Sequence, residues 1–143
     1  MHRNLKISSS KFQSAQGSVY FVKRTDRADH ERFVLKIFPS SQQKAFMAES
    51  TVLAKLGRAD YSKFGFPKME SQMVGSEQSE ILMEALGVDL KTIQSKQPNG
   101  RFSVPTCLFI TIQLLDLIEK LHSLNFIHND IKMENIMIGR KDP

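Results

Sequence analysis

Tryptophan is absent and cysteine occurs once, as Cys107. A lone cysteine excludes a disulfide scaffold and fits a reducing compartment. Seven glycines and five prolines in 143 residues exclude a collagen-like chain. Long apolar runs are missing too. The most hydrophobic stretch, Cys107 to Leu124, is broken by Gln113, Asp116, Glu119, Lys120 and His122, so it falls short of a membrane span. The N-terminal Met1-His2-Arg3-Asn4-Leu5-Lys6 has no apolar core and does not read as a secretory signal. Charge of one sign is nearly balanced: 20 basic against 15 acidic residues give +5. The basic residues are scattered, which is a weak signal for nucleic acid. What remains is 41% hydrophobic and 24% charged, the composition of one globular domain.

Two periodicities divide the chain. In its first third, apolar residues alternate: Leu5 and Ile7; then Val19, Phe21 and Lys23 against Tyr20 and Val22; then Phe33, Leu35 and Ile37 against Val34, Lys36 and Phe38. This predicts an antiparallel meander, with a polar turn over Thr25–His30. The period then becomes helical. Ser40 and Gln43 have capping-box spacing, Phe46, Leu53 and Leu56 follow on one face, and Gly57 is the expected C-cap. Glu49 lies on that same apolar stripe, where an unpaired carboxylate is costly. Further strands are expected at Pro67–Val74 and Glu80–Glu84, a loop at Gln94–Gly100, and a long helix from Pro105 to about Leu124. Its apolar face (Leu108, Ile110, Leu114, Leu115, Leu117, Ile118, Leu121) is broad enough to need cover on more than one side. Cys107 is expected in its core.

The chemistry concentrates at His128-Asn129-Asp130-Ile131-Lys132-Met133-Glu134-Asn135, before an expected strand Ile136-Met137-Ile138. An acid, a cation and an amide at this spacing suit transfer of a phosphoryl group to a hydroxyl. A carboxylate orients the hydroxyl and accepts its proton, a lysine neutralises charge on phosphate, and an amide oxygen ligates Mg²⁺.

This segment resembles the protein-kinase catalytic loop, His-Arg-Asp followed by four residues and Asn. The resemblance implies Asp130 as catalytic base, Lys132 as phosphate contact and Asn135 as metal ligand, with ATP and Mg²⁺ as cofactors. It implies that His128 packs beneath the loop. Phe33-Val34-Leu35-Lys36 resembles the Val-Ala-Ile-Lys strand, so Lys36 is expected at the α/β-phosphates with Glu49 as its ion-pair partner. Ile81-Leu82-Met83-Glu84-Ala85-Leu86-Gly87 resembles the fifth strand and hinge, with Met83 as gatekeeper and the backbones of Glu84 and Leu86 on adenine. Gly17-Ser18-Val19 aligns with the end of the glycine-rich loop. Ser14 and Phe12 then stand at two glycine positions, and Val19 and Val34 cover the base. Within the kinases, Met83-Glu84-Ala85-Leu86-Gly87-Val88-Asp89-Leu90, Phe66-Pro67-Lys68-Met69 and Arg101-Phe102-Ser103 are similar to casein kinase I segments.

The expected fold class is α+β: a small antiparallel sheet with one helix over about residues 4–86, then the start of a helical lobe over 87–143. The implied protein is an intracellular, cytoplasmic or nuclear, serine/threonine kinase acting on a protein substrate, without membrane or nucleic-acid partners. Asn129 stands where the family has arginine. No Asp-Phe-Gly follows Asn135, and Asp142 precedes Pro143. The chain therefore reads as the first half of a kinase domain, and a partner is expected over its helical-lobe surface. The competing reading is a non-catalytic, pseudokinase-like binding module.

Overall fold

The computed structural model describes residues 5–14 (of 8–14, the backbone), 17–25 and 32–139. The expected turn at Thr25–His30, the side chains of Phe12 and Ser14, and Asp142 lie largely or wholly outside these. Strands β1 (Leu5–Ser14), β2 (Gly17–Arg24) and β3 (Arg32–Pro39) precede helix α1 (Gln43–Arg58). Strands β4 (Met69–Met73) and β5 (Gln78–Glu84) follow, then helices α2 (Leu90–Ser95) and α3 (Val104–Ser123). The residues divide into two compact units, Met1–Ala59 with Pro67–Ala85, and Asp60–Phe66 with Leu86–Pro143.

The first unit is a five-stranded antiparallel sheet in the order β1-β2-β3-β5-β4, carrying α1. Both faces of the sheet are apolar. On the helix side Phe38, Ile81, Phe46 and Leu53 form a core with Ala45, Met69 and Met83 against it. The Phe38 and Phe46 rings meet edge to face at 5.7 Å. On the other side Val22, Phe33 and Leu82 pack with Leu5, Tyr20 and Leu35. Fully burying each such side chain contributes about 1.5–3 kcal/mol. β2 therefore buries Val22 completely, although Val19, Phe21 and Lys23 look like its main stripe in the sequence. Gly17 is required by the sheet: a Cβ there would lie 2.0 Å from the Ile37 carbonyl oxygen.

Helix α1 departs from expectation at both ends. No capping box forms. Instead the Gln43 amide oxygen accepts from the Ser79 hydroxyl at 3.0 Å. Ser79 is fully buried, and a buried hydroxyl without a partner costs more than a cap contributes. Ser40–Gln42 forms a 3₁₀ turn, and Ser40 N donates to Glu77 O. At the other end the helix runs past Gly57, and Asp60 takes the left-handed conformation (φ 58°), which Asp tolerates.

In the second unit, α2 replaces the first part of the expected loop. Asp89 caps it twice: Thr92 N donates to one carboxylate oxygen at 2.8 Å and Thr92 Oγ1 to the other at 2.7 Å. Those bonds stabilise the charged form and hold the Asp89 carboxyl below its usual 3.8. The cap's contribution is thus fully present above the usual carboxylate value and is lost as pH falls through the lower folded one. Asp89→Ala should melt a few degrees lower than wild type at pH 7, with the gap closing in strong acid. Thermal unfolding followed by circular dichroism at the two pH values checks this; a constant gap would contradict it.

Helix α3 starts as expected, with Ser103 accepting from Thr106 N and Pro105 in the first turn. Its predicted core is mostly uncovered. Leu121 alone on that face is buried, Ile110, Leu114, Leu117 and Ile118 are half-buried, and Leu108 and Leu115 are exposed. Cys107 is exposed as well, contrary to its expected core position. The strand expected at Ile136–Ile138 reduces to one bridge, Met137 opposite Asp89. No helix among the described residues is long and apolar enough to cross a membrane.

Candidate active site

In the first unit, strand register places four of the expected nucleotide residues on one sheet face. Val19 lies opposite Lys36, and Lys36 opposite Ile81; Val34 lies opposite Met83. Directly opposed residues share a face, as do residues two apart on one strand. This is the face that carries α1, so Lys36 can reach Glu49. The Lys36 ammonium donates to the Glu49 carboxylate at 2.5 Å, with the side chains 16% and 28% exposed. Lys36 also sits 4.9 Å from the Phe38 ring centroid, an attractive cation–aromatic placement. The carboxylate on an apolar stripe thus has its partner. Met83 packs beside the Phe38–Phe46–Leu53–Ile81 core.

Glu84 ends β5 on the opposite face. Its amide donates to Lys68 O, and its carboxylate accepts from Lys68 N, both at 2.9 Å. Two residues on, Leu86 has no backbone hydrogen-bond partner among the described residues, so its N–H and C=O are available to a ligand. Gly17 opens β2 and pairs with Ser14.

In the second unit the loop after α3 is built around Asp130. Asn129 adopts φ 59°, a conformation in which Asn is favoured over most residues. This turns the chain so that Asp130 N donates to His128 Nδ1 at 3.2 Å. His128 is exposed rather than packed beneath the loop; its ring is held by this local bond. The 3₁₀ turn Met133–Asn135 folds Asn135 back. Its amide nitrogen donates to the Asp130 carbonyl at 2.9 Å and to Asp130 Oδ2 at 2.8 Å. Lys132 Nζ pairs with the same Oδ2 at 2.9 Å. The hydrogen bond from Lys132, then that from Asn135, with charge from Lys132 and His128, hold the Asp130 carboxyl below its usual value. Asp130 is therefore ionised at neutral pH. One of its oxygens is committed, and Oδ1 has no partner among the described residues.

The same geometry tests the fit of a metal ion. Both acceptors of the Asn135 amide nitrogen are on Asp130, so the amide orientation is fixed and its oxygen has no hydrogen bond among the described residues. Among those residues no three His, Cys, Asp or Glu side chains gather. An amide oxygen beside a carboxylate is a hard donor set of few members. That suits Mg²⁺, which keeps waters and substrate phosphates as most of its ligands.

The family model described as protein kinase domain matches residues 13–143. The chain belongs to the protein kinase family. Among curated relatives, the human serine/threonine-protein kinase VRK2 is 40% identical over 63 residues, 44% of this chain and 12% of VRK2. The probable serine/threonine-protein kinase DDB_G0292354 of Dictyostelium discoideum is 34% identical over 59 residues, 41% of this chain and 12% of that protein. The kinase chain thus matches only about an eighth of each relative's length. A solved structure titled as the kinase domain of PF14_0431 has the same fold, with a TM-score of 0.81 at 18% identity. That likeness covers 96% of this chain and 40% of the other. The kinase-like sheet with one helix, and the start of the helical lobe, are therefore the architecture expected from the sequence.

Two features of this region carry only weak sequence signals: Gly87, at the end of the hinge-like motif, and the Asp89 cap of α2, for which Asp-x-x-Thr (Asp89 to Thr92) is the capping signal.

Proposed function

We propose that this chain supplies the nucleotide-binding and phosphoryl-transfer groups of a serine/threonine protein kinase of casein kinase I type. The observation that carries the reading is Asp130: an ionised carboxylate with one oxygen clamped by Lys132 and Asn135 and the other open. The open Oδ1 would orient a serine or threonine hydroxyl of a protein substrate and take its proton. The hydroxyl oxygen then bonds to the γ-phosphorus of ATP as the bond to the β-phosphate oxygen breaks, and ADP leaves. Lys132 would neutralise charge on the moving group. The Asn135 oxygen would hold Mg²⁺, which when bound supplies further charge neutralisation. Lys36, fixed by Glu49, would contact the α/β-phosphates. Leu86 and Glu84 would bond adenine through their backbones, with Val19 and Val34 over the base and Met83 behind it. Met83–Leu90 supports the casein kinase I assignment, and the single cysteine supports an intracellular setting.

The test is nucleotide binding to the wild-type chain and to Lys36→Met by titration calorimetry. Losing one charge-assisted contact worth about 1.5–3 kcal/mol should weaken ADP binding about 10–100-fold. Equal affinity would remove Lys36 from the site, and no binding to wild type would contradict the proposal. The exposed face of α3 favours a second reading, a non-catalytic module that docks on a partner. On that reading nucleotide binds and no phosphate is transferred to a casein-like substrate, even within a complete kinase domain.

A further inference from the structure

Residues 87–90 and 136–138 run side by side. Gly87 N donates to Ile138 O at 2.8 Å, Ile138 N to Val88 O at 3.1 Å, and Leu90 N to Ile136 O at 2.8 Å. Asp89 and Met137 face each other across this short antiparallel ribbon. One of its segments begins immediately after Leu86; the other begins immediately after Asn135.

The approach is closest at Gly87. A Cβ there would lie 2.7 Å from Ile138 Cγ1 and 2.9 Å from Ile138 O. Both are shorter than carbon side chains accept, and the carbonyl is backbone, so it yields only if the segment moves. Gly139 is the contrast: next along the same segment, a Cβ meets nothing within 4 Å. A displaced Ile138 would not move alone. Ile136 N is tied to Met133 O, and Asn135 N to Lys132 O. The Asn135 side chain holds Asp130 through bonds of 2.8 and 2.9 Å. Hydrogen bonds of that kind weaken steeply once distance and angle leave a narrow range.

We propose that Gly87 is a positioning residue for the phosphoryl-transfer loop. By admitting the backbone of Ile138 to close contact, it sets where the Asn135 amide stands against Asp130. The consequence for the metal rests on the kinase reading above; the positioning of Asn135 does not.

The experiment compares wild type, Gly87→Ala and Gly139→Ala in the 143-residue chain. Hydrogen exchange by mass spectrometry reads peptides spanning 86–90 and 131–139. Titration with ADP, with and without Mn²⁺, reads the metal-dependent part of affinity. Gly87→Ala should raise exchange through residues 131–138 and weaken the Mn²⁺-dependent affinity about 10-fold or more, the scale of disturbing groups that orient a metal ligand. Its metal-free ADP affinity should change less than its Mn²⁺-dependent affinity, and Gly139→Ala should match wild type in both readouts. Unchanged exchange at 131–135 in a folded Gly87→Ala chain overturns the proposal. So does an equal fall in affinity with and without Mn²⁺, which marks general destabilisation. If Gly87→Ala does not fold, adding Ile138→Ala removes the 2.7 Å contact and leaves the carbonyl at 2.9 Å. That double variant should fold and still show raised exchange at 131–135; wild-type exchange there refutes the positioning. Should the wild-type chain bind ADP no tighter with Mn²⁺, the metal reading of Asn135 fails. The exchange measurement then decides the positioning by the same criterion.

Discussion

Asp130→Asn is expected to slow phosphoryl transfer by about 10²–10⁴-fold, the range for removing a positioned general base. Nucleotide affinity should stay within about twofold, because Asp130 is assigned to the acceptor hydroxyl and not to the nucleotide. The substitution keeps the shape of the side chain. It removes the negative charge that pairs with Lys132 Nζ at 2.9 Å and the open oxygen's capacity to take a proton. The measurement is single-turnover phosphate transfer from ATP in a polypeptide carrying these residues within a complete kinase domain. Equal rates in mutant and wild type would take the base role from Asp130. The pH dependence follows from the direction of the shift. Lys132 and Asn135 lower the Asp130 carboxyl below 3.8. Its charged form is therefore complete well before neutrality, and is lost only as pH falls through that lower value. No activity step belonging to Asp130 should appear between about pH 6 and 9; a limb in that window must come from another group. A carboxylate held below its usual value is a weak resting base. It acts mainly by orienting the hydroxyl, and receives the proton as the new oxygen–phosphorus bond forms.

The need of Glu49 for a cation is legible in the sequence because it breaks a local rule: a carboxylate on a stripe of Phe46, Leu53 and Leu56 is costly unpaired. That Lys36 is the cation is legible only through the resemblance of Phe33-Val34-Leu35-Lys36 to the Val-Ala-Ile-Lys strand. Asp130, Lys132 and Asn135 are legible for a different reason. Their spacing within six residues lets one turn bring them together, so no long-range contact need be foreseen. What fails in the sequence is what tertiary structure decides. Ser40 and Gln43 have the spacing of a capping box, but the need of the buried Ser79 hydroxyl claims the Gln43 amide. Ile136-Met137-Ile138 has strand composition, yet its partner is the hinge-side ribbon, where one bridge forms instead of a ladder. α2 has six residues, too few for a helical period to show. Gly87 is recognisable only by resemblance to a motif. The physical demand on it, the Ile138 carbonyl against its Cα, comes from a segment some fifty residues away in the chain.

The 143-residue chain by itself is expected to self-associate and to show no measurable kinase activity. The second half follows from the metal donors. Asn135 is the only assigned ligand, and phosphoryl transfer depends on metal-borne neutralisation of charge. The first half follows from α3. Val104, Leu108, Ile112 and Leu115 are 72%, 59%, 67% and 60% exposed. At 100° per residue they fall within one stripe about 80° wide, which runs along the helix over three turns. The opposite side of the same helix carries Leu121, buried, and Leu117, whose methyls lie 3.4 Å from where a Gly65 Cβ would be. So α3 is anchored by one side and offers the other, uncovered, to water. Each large side chain left there forfeits about 1.5–3 kcal/mol of burial, and a contiguous apolar patch of this kind drives association. Leu108→Lys with Ile112→Glu should abolish the association without lowering thermal stability, because neither side chain supports the folded chain in its present exposure. Size-exclusion chromatography with light scattering, with a radiolabelled phosphate-transfer assay on the same fractions, measures both halves. A wild-type chain that elutes as a monomer would show that the exposed α3 stripe does not drive association. Transfer to a casein-like substrate by that monomer, lost in Asp130→Asn, would show that Asn135 and the substrate's own phosphates suffice to hold the metal.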